Sequence, residues 1–535
     1  MDSVCSAMPE IVLATLKARY IHASFGLRCL RANLGDLRKR SALAEFTIDQ
    51  RPLEVAEAIL ALQPRILGLG VYIWNVAPMT ELVALLKRLR PELIIILGGP
   101  EVSYEYEQQE IVRLADHVVT GEADLVFPEV CRQILEGCLP AQKVIPAPPP
   151  DLANVALPYE EYNADDIAHR LIYVEASRGC PFECEFCLSS LDIPVRAFPL
   201  DPFLAAMEGL LARGVRHFKF VDRTFNLHLD ASRRILEFFL ARLSPGLFLH
   251  FEMIPDRMPA GLRELICRFP PGTLQFEVGV QTFNPEVAAA IHRRQDYGRL
   301  EDNFRFLREH TGVHVHADLI AGLPGETVDG FAAGFDRLVA LGPQEIQVGL
   351  LKRLRGTPIG RHDAEWAMVY SPLSPYELLQ NRLIDFATMQ RMRRFARYWD
   401  LVGNSGRFAT TLPEFWSGGA SPFAEFMRFS DWFFAREGRR HGIALPHLIG
   451  QVFTFLTQER GRPPAAIAER LLRDARRTGQ PELPAVVRAH LPAGAPIASS
   501  HERPVLSPTT RRQVRHRAGR ASSEPTDENL ENGLG

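Results

Sequence analysis

Three of the eight cysteines in this 535-residue chain sit in one short stretch, SRGCPFECEFC (residues 177–187), where Cys180, Cys184 and Cys187 follow the spacing C-x3-C-x2-C. The other five, Cys5, Cys29, Cys131, Cys138 and Cys267, stand alone or in loose spacing, too sparse for a disulfide scaffold. Three close thiols call for a soft metal. Zinc prefers four ligands in a closed tetrahedron, commonly as paired C-x2-C units, and neither a second pair nor a close histidine lies nearby. An iron–sulfur cube held by three thiolates leaves one iron open, where a small molecule can be chelated and given an electron. Packing as small apolar side chains fits a glycine- and proline-flanked loop poorly.

Elements that would carry this loop follow from hydrophobic periodicity. From about residue 10 to 137, short apolar runs alternate with amphipathic stretches, the pattern of a doubly wound parallel sheet. Strands are expected at 11–15, 45–49, 66–73, 93–98 and 117–120, with helices in PLEVAEAILALQ and PMTELVALLKRLR. Glycines follow two of them, Gly98-Gly99 and Gly121 before Glu122, where such sheets bind ligands beyond the strand ends. A second series, with strands near 171–176, 217–222, 247–252, 273–280, 313–322 and 346–351, suits an open parallel barrel whose functional residues belong at the carboxyl ends of its strands. The cysteine loop leaves the first of these strands at that end. Asp222, Glu252, Gln281 and Asp318 occupy the same end of later strands.

The expected organisation is therefore a doubly wound unit over 1–140, a proline-rich linker over 141–165, a partial barrel over 166–365, a helical part over 366–492 and a disordered tail over 493–535. The helical part shows 3.6-residue periodicity rich in aromatics, with no clear strands between 370 and 490, and Phe395, Trp399 and Trp432 are expected in its core. With 61 basic against 64 acidic residues, the charge balance suggests neither a nucleic-acid nor a membrane-surface partner. No basic region precedes an apolar stretch at the amino terminus, and the longest apolar run, 93–99, is far short of the roughly 20 residues that span a bilayer. A soluble, cytoplasmic protein is expected.

The cysteine spacing, with Phe186 just before Cys187 on the loop after a barrel's first strand, resembles the signature of the radical S-adenosylmethionine superfamily. That resemblance implies a [4Fe-4S] cluster on Cys180, Cys184 and Cys187, with S-adenosylmethionine (SAM) chelated at the open iron and Phe186 beside its adenine. It also implies reductive cleavage of SAM to methionine and a 5'-deoxyadenosyl radical. FEVGVQTFNPEVAAAIHR and HADLIAGLPGET resemble strands four and five of the subgroup that includes oxygen-independent coproporphyrinogen oxidase and the methylthiotransferases. Carried over by position, Gln281 and Arg293 hold the methionyl end of SAM, Glu252 and Asp318 bond to its ribose or amino group, and the Ile320 backbone faces adenine. Those types suit the work, since carboxylates accept from hydroxyls and arginine forks onto a carboxylate. Asp222 matches the acidic position after strand two, though Arg223 follows where relatives often carry a second acid.

The amino-terminal unit resembles the cobalamin-binding domain that precedes the barrel in one branch of this superfamily. The resemblance places a cobalamin nucleotide tail beside Gly98, Gly99, Gly121 and Glu122, against a wall formed by Tyr72, Trp74 and Asn75. The chain departs from the cobalamin motif D-x-H-x-x-G: the loop reads RYIHASFG, with Tyr20 at the aspartate's place and His22 four residues before Gly26. The helical carboxyl-terminal part resembles an extension of unassigned role in the same branch.

These resemblances imply a cobalamin-dependent radical SAM enzyme acting on a small molecule, with a reductase, flavodoxin or ferredoxin as electron donor. Methyl transfer to an unactivated centre is the expected reaction. Radical oxidative cyclisation or rearrangement is an alternative from the same parts, and a non-catalytic cobalamin sensor or carrier is an alternative from another class. A methylthiotransferase would carry a further cysteine set ahead of the barrel and a basic terminal module, and this chain has neither.

Overall fold

The strand IVLATLK is buried along its whole length, which demands cover on both faces. In the computed structural model it is β1 (Ile11–Lys17), flanked by β2 (Ser41–Thr47) and β3 (Ile66–Gly70), with β4 (Ile94–Gly98), β5 (His117–Gly121) and β6 (Val144–Ala147) beyond. The sheet is parallel, in the order β2-β1-β3-β4-β5-β6. Alternate residues of β1 face two separate cores. Val12, Ala14 and Leu16 meet the helices Pro52–Ala61 and Val76–Leu89 through Val55, Ile59, Met79, Leu82 and Leu86. Ile11 and Leu13 meet the helices Phe25–Ala32 and Val126–Leu135 through Leu27, Phe127, Val130 and Ile134. Each such side chain contributes about 1.5–3 kcal/mol on burial, so the doubly wound sheet has a core on each face.

The structure describes residues 8–480, 482–492 and 512–516. They fall into two units, one comprising residues up to 253 with 289–294 and 351–378, the other comprising 254–288, 295–350 and the chain from 379. The second parallel series is divided between them. In the first unit, β7 (Ile172–Val174) pairs with β10 (His217–Phe220), and β10 with β11 (Phe248–Met253). Two short antiparallel strands, β8 (Ser177–Arg178) and β9 (Arg196–Ala197), tie off the cysteine loop between them. In the second unit β12 (Leu274–Gln281), β13 (His314–Ala321) and β14 (Glu345–Leu350) run parallel in that order.

The stretch expected as a linker is structured. Residues Val144–Ala147 add β6 to the edge of the sheet, where Pro146 removes a donor that only an inner strand would need. Tyr159 and Tyr162, both buried, then line the edge of β7: each hydroxyl donates to one main-chain carbonyl and accepts from one N–H, Tyr159 at Glu175 and Tyr162 at Tyr173, at 2.8–3.1 Å. Two side chains thus satisfy an edge that would otherwise stay open.

The carboxyl-terminal stretch opens with two short strands, β15 (Val369–Tyr370) and β16 (Leu378–Gln380), which the periodicity did not reveal. The helices Phe386–Val402, Pro422–Glu437 and Pro464–Thr478 follow. Phe395 and Trp399 are buried there, whereas Trp432 is half-buried with its indole N–H donated to Glu459. Most of the tail expected to be disordered lies outside the described residues; residues 512–516 within it are helical, and Gln513 is buried. Among the described residues no helix is long and apolar enough to cross a membrane.

Candidate functional site

The cysteine loop hangs from the carboxyl end of β7. Gly179 begins it at φ 92°, and a Cβ there would come within 2.8 Å of the Asp192 and Pro194 carbonyl oxygens, so only glycine lets the loop fold back this tightly. Cys180 N–H donates to Asp192 O (3.0 Å), and Cys187 N–H to Cys184 O (3.0 Å). All three cysteines are free, with Cys180 and Cys184 buried and Cys187 half-buried. Burial pushes the Cys180 and Cys184 thiols up; at Cys184 the Arg293 guanidinium, with Nη1 3.5 Å from Sγ, works the other way. Thiols so placed lose their protons on metal loading. Among the described residues, no three His, Cys, Asp or Glu side chains are gathered to hold a single metal ion. A cube, whose three protein ligands attach to three different irons, fits this loop better than zinc does.

Between two of these cysteines, Glu185 is turned inward and buried to 1% exposure. It is held by Arg361 and His362, each at 2.7 Å, and by His292 at 3.2 Å. Phe186, its neighbour, is half-buried.

A cavity of about 400 Å³ lies within the first unit, between the carboxyl ends of the doubly wound sheet and the start of the cysteine loop. Of the expected cobalamin residues, Tyr72, Gly98, Gly99, Gly121 and Glu122 line it. Trp74 and Asn75 do not. Trp74 is stacked flat on Tyr72 at 4.5 Å with its indole N–H on Leu16 O, so it backs the wall from outside. Asn75 is fully buried, its amide donating to Thr15 Oγ1, Leu16 O and Gly70 O while its Oδ1 accepts from Tyr72 N–H. Its role is to fix the β3 loop that presents Tyr72. His22 does not line the cavity either: its Nδ1 lies 2.7 Å from the Tyr173 hydroxyl, on the side facing β7.

Of the polar centre of this cavity, sequence reasoning found Glu122 and missed the rest. Arg178, two residues before Cys180, donates to Glu175 (3.0 Å), Glu122 (2.9 Å) and Asp124 (2.7 and 3.1 Å), and Arg196 adds a second guanidinium on Glu122 and Asp192. Burial raises the Glu175 carboxyl to about 7 against the pull of Arg178. The only advance signal was that SRGC places a charged residue beside the cluster loop.

Asp222, expected at SAM, is 2% exposed and bonded inward: it accepts from Ala176 N–H (3.0 Å) and the Ser177 hydroxyl (2.6 Å). Burial raises it to about 6, against those two bonds. It braces the strand end from which the cysteine loop departs. Glu252 receives Arg223 at 2.9 and 3.2 Å, so the departure at Arg223 supplies that carboxylate's counter-charge.

The remaining expected residues belong to the second unit. Gln281 ends β12 at φ 69°, where the register with β13 is broken, and its side-chain oxygen is buried without a hydrogen-bond partner. Gln295 and Tyr297 secure the same bend through the Val280 and Thr282 carbonyls, and the Thr282 hydroxyl donates to buried Glu326 (2.5 Å). Burial raises Glu326 to about 7. Along β13, His316, Asp318 and Ile320 share one face. His316 Nε2 lies 3.2 Å from Asp318, and although burial opposes its charge, Asp318 with Glu345 and Glu277 raises it to about 9. An orphaned acceptor at Gln281 and a strand-end carboxylate at Asp318 suit the ammonium and hydroxyl groups of SAM.

Comparison with known proteins divides the chain into three family matches. The B12 binding domain family matches residues 11–131, the Radical SAM superfamily residues 174–338, and a family of unknown function, DUF4080, residues 364–490. An uncharacterized methyltransferase of Pyrococcus horikoshii is 24% identical over 305 residues, covering 51% of this chain and 64% of that protein. The cobalamin-dependent radical SAM methyltransferase TokK of Streptomyces tokunonensis is 24% identical over 340 residues, covering 55% and 47%. The chain thus spans less than two thirds of the length of these curated relatives. Among solved structures, the radical SAM methyltransferase TsrM from Kitasatospora setae, with tryptophan and a SAM analogue bound, has the same fold: TM-score 0.56 at 19% identity, over 71% of this chain and 81% of that one. The chain thus carries, in order, a B12 binding domain, a Radical SAM domain and a DUF4080 domain, a set whose cofactors are cobalamin, a [4Fe-4S] cluster and SAM.

Proposed function

We propose that this enzyme transfers a methyl group to an unactivated centre of a small-molecule substrate. The observation that carries the reading is a cavity that touches both cofactor-bearing parts: the glycine-rich ends of the doubly wound sheet on one side and Ser177–Gly179 of the cysteine loop on the other. Cobalamin held there would lie beside the cysteine loop, so that a substrate between them could lose hydrogen to the radical and take the methyl group from the corrinoid. The names of the relatives, two of them methyltransferases and one explicitly cobalamin-dependent, support the same reading.

When bound, the cluster and cobalamin supply the one-electron and methyl-carrying chemistry that side chains lack. The protein's part is holding, orientation and exclusion of water. Cys180, Cys184 and Cys187 would hold the cluster, with Phe186 beside the adenine of SAM. Gln281 and Arg293 would hold the methionyl end of SAM, Glu252 and Asp318 would accept from its ribose or amino group, and the Ile320 backbone would face the adenine. Asp222 acts one step removed, through Ser177. Tyr72, Gly98, Gly99, Gly121 and Glu122 would hold cobalamin, with Trp74 and Asn75 supporting Tyr72. A flavodoxin, ferredoxin or reductase supplies electrons.

The test is anaerobic reconstitution followed by reduction with SAM carrying a labelled methyl group. Methionine and 5'-deoxyadenosine should form, and label should reach the bound corrinoid; Cys184→Ala should lose iron and all cleavage. SAM cleavage without label on the corrinoid would favour cyclisation or rearrangement, and an intact cluster that never cleaves SAM would favour a sensor.

A further inference from the structure

Residues 351–378, between β14 and the helical domain, belong to the first unit and close on themselves: Leu378 N–H donates to Leu351 O (2.8 Å) and Arg353 N–H to Tyr376 O (3.1 Å). From this base the segment grips two separate places. One is the turn after β4. Glu101, 4% exposed, accepts from Arg355 Nε (2.8 Å) and from the Tyr376 hydroxyl (2.6 Å), while Glu105 accepts from Arg353 (3.2 Å) and from Gly356 N–H (3.2 Å). Gly356, at φ 80°, lies so close under the Tyr104 ring that a Cβ would come within 2.4 Å of it. The Ser374 hydroxyl adds a bond to Ile73 O, one residue from the cavity wall at Tyr72.

The other place is the cysteine loop. The tip of the segment, the short helical turn Pro358–His362, brings Arg361 and His362 onto buried Glu185, and Ile359 N–H onto the Glu185 carbonyl (3.1 Å). Each end therefore neutralises a buried carboxylate that could not remain buried alone. Neither carboxylate lines the cavity.

We propose that residues 351–378 form a buckle that sets the spacing between bound cobalamin and bound cluster, with Arg355 and Arg361 as positioning residues at its two ends. The inference rests on the reading that both cofactors occupy the first unit together. Its physical basis is that reacting groups misplaced by an ångström lose much of their rate, and that this segment ties the turn after β4 to the cysteine loop, as Arg178 and Arg196 tie the β5 loop to it directly. Arg355 fixes the turn after β4 through Glu101, Arg361 fixes the cysteine loop through Glu185, and the closed base makes the two move as one body.

Pulsed electron paramagnetic resonance on the full chain, reduced and carrying both cofactors, reads the distance between cluster and cob(II)alamin directly. The parent should give one narrow distribution. Arg355→Ala and Arg361→Ala should each broaden it at least twofold, Tyr376→Phe less so, with Arg355→Ala retaining parental iron and corrinoid. Distributions as narrow as the parent's in both arginine variants would overturn the buckle. Hydrogen exchange on the full chain without cofactors is the second arm. Arg361→Ala should raise exchange in residues 99–105, which it does not touch, as well as in 180–187; a response confined to 180–187 would equally overturn the proposal. A parent chain that takes up no corrinoid would defeat the cofactor reading instead, and the exchange arm would still decide the buckle.

Discussion

Arg178 shows how a residue chosen by one element can serve another. It stands in the motif that leads into the cluster, yet its guanidinium is spent on Glu122 and Asp124 of the β5 loop and on Glu175 at the end of β7. Removing it leaves three carboxylates facing one another in a largely buried site, and breaking such a network costs about 3–5 kcal/mol. Arg178→Met should therefore lower the unfolding midpoint and abolish corrinoid uptake, measured by absorbance after reconstitution; normal uptake would show that the network does not shape the cavity. Glu326 offers a test of sign. Its carboxyl is raised to about 7 from an ordinary 4.5, so the fold favours the neutral form. Stability from this group is complete below pH 4.5 and is lost as pH rises through 7, on the order of 3 kcal/mol in all. Glu326→Gln keeps the site neutral, so its melting temperature should exceed the parent's at pH 8 and converge with it at pH 5. At this scale the sequence marked the three cysteines by their pattern and the cavity-lining glycines by their place at strand ends, while Tyr72, which also lines the cavity, came from the family resemblance. It hid Arg178, Glu185 and Glu101, because each acts through partners tens to hundreds of positions away, and it could not separate a residue that lines a site from one that braces it, as with Asn75 and Asp222.

Elements were legible where they were long and periodic. All five expected strands of the first sheet and all six of the second series occur, shifted by a few residues at most at β2 and shortened at β7. What was lost lies at sheet edges. β6 is four residues with an internal proline, a pattern that reads as irregular unless one knows that its neighbour offers only one side. The β7 edge is closed by tyrosine hydroxyls, which no periodicity can announce. In the second unit β14 is treated alike: the Asn404 side chain donates to Ile346 O and accepts from Ile346 N–H, both at 2.8 Å, imitating one peptide of a missing strand. Such mimicry is testable because the side chain can be removed while its shape is nearly kept. Tyr162→Phe removes the hydroxyl that bonds both the Tyr173 amide and carbonyl, a cost of about 1–3 kcal/mol. Chemical denaturation should show that loss, whereas a change within error would mean that water replaces the hydroxyl.

At the scale of the whole chain, the family boundaries and the physical units do not coincide. The DUF4080 domain begins as a separate family match at residue 364, which invites the idea that it can be removed from a self-sufficient barrel. The second unit argues otherwise. Phe335, on the helix Val328–Leu341 that follows β13, has its ring 5.1 Å from Phe395, 4.8 Å from Trp399 and 6.0 Å from Phe423, all contributed by the helical domain. Asp336 accepts from Phe423 N–H, Asn404 completes the edge of β14, and Arg512 ties Glu345 at the start of β14 to Asp400. The helix after β13 and the edge strand β14 thus pack against helices that come later in sequence. Cutting the chain after residue 365 would expose Phe335 and Leu338 and leave β14 with an open edge, conditions that favour aggregation over folding. A chain ending at residue 365 should accumulate in the insoluble fraction, and Phe395→Ala in the full chain, which opens a cavity in the same core, should lower the melting temperature through a loss of about 3–5 kcal/mol. A soluble 1–365 fragment with parental helicity by circular dichroism would instead show that the helical domain is an addition to a finished barrel. The aromatic packing around Phe335 makes the opposite outcome the expected one: the domain of unassigned role is, first of all, half of the core that carries Gln281 and Asp318.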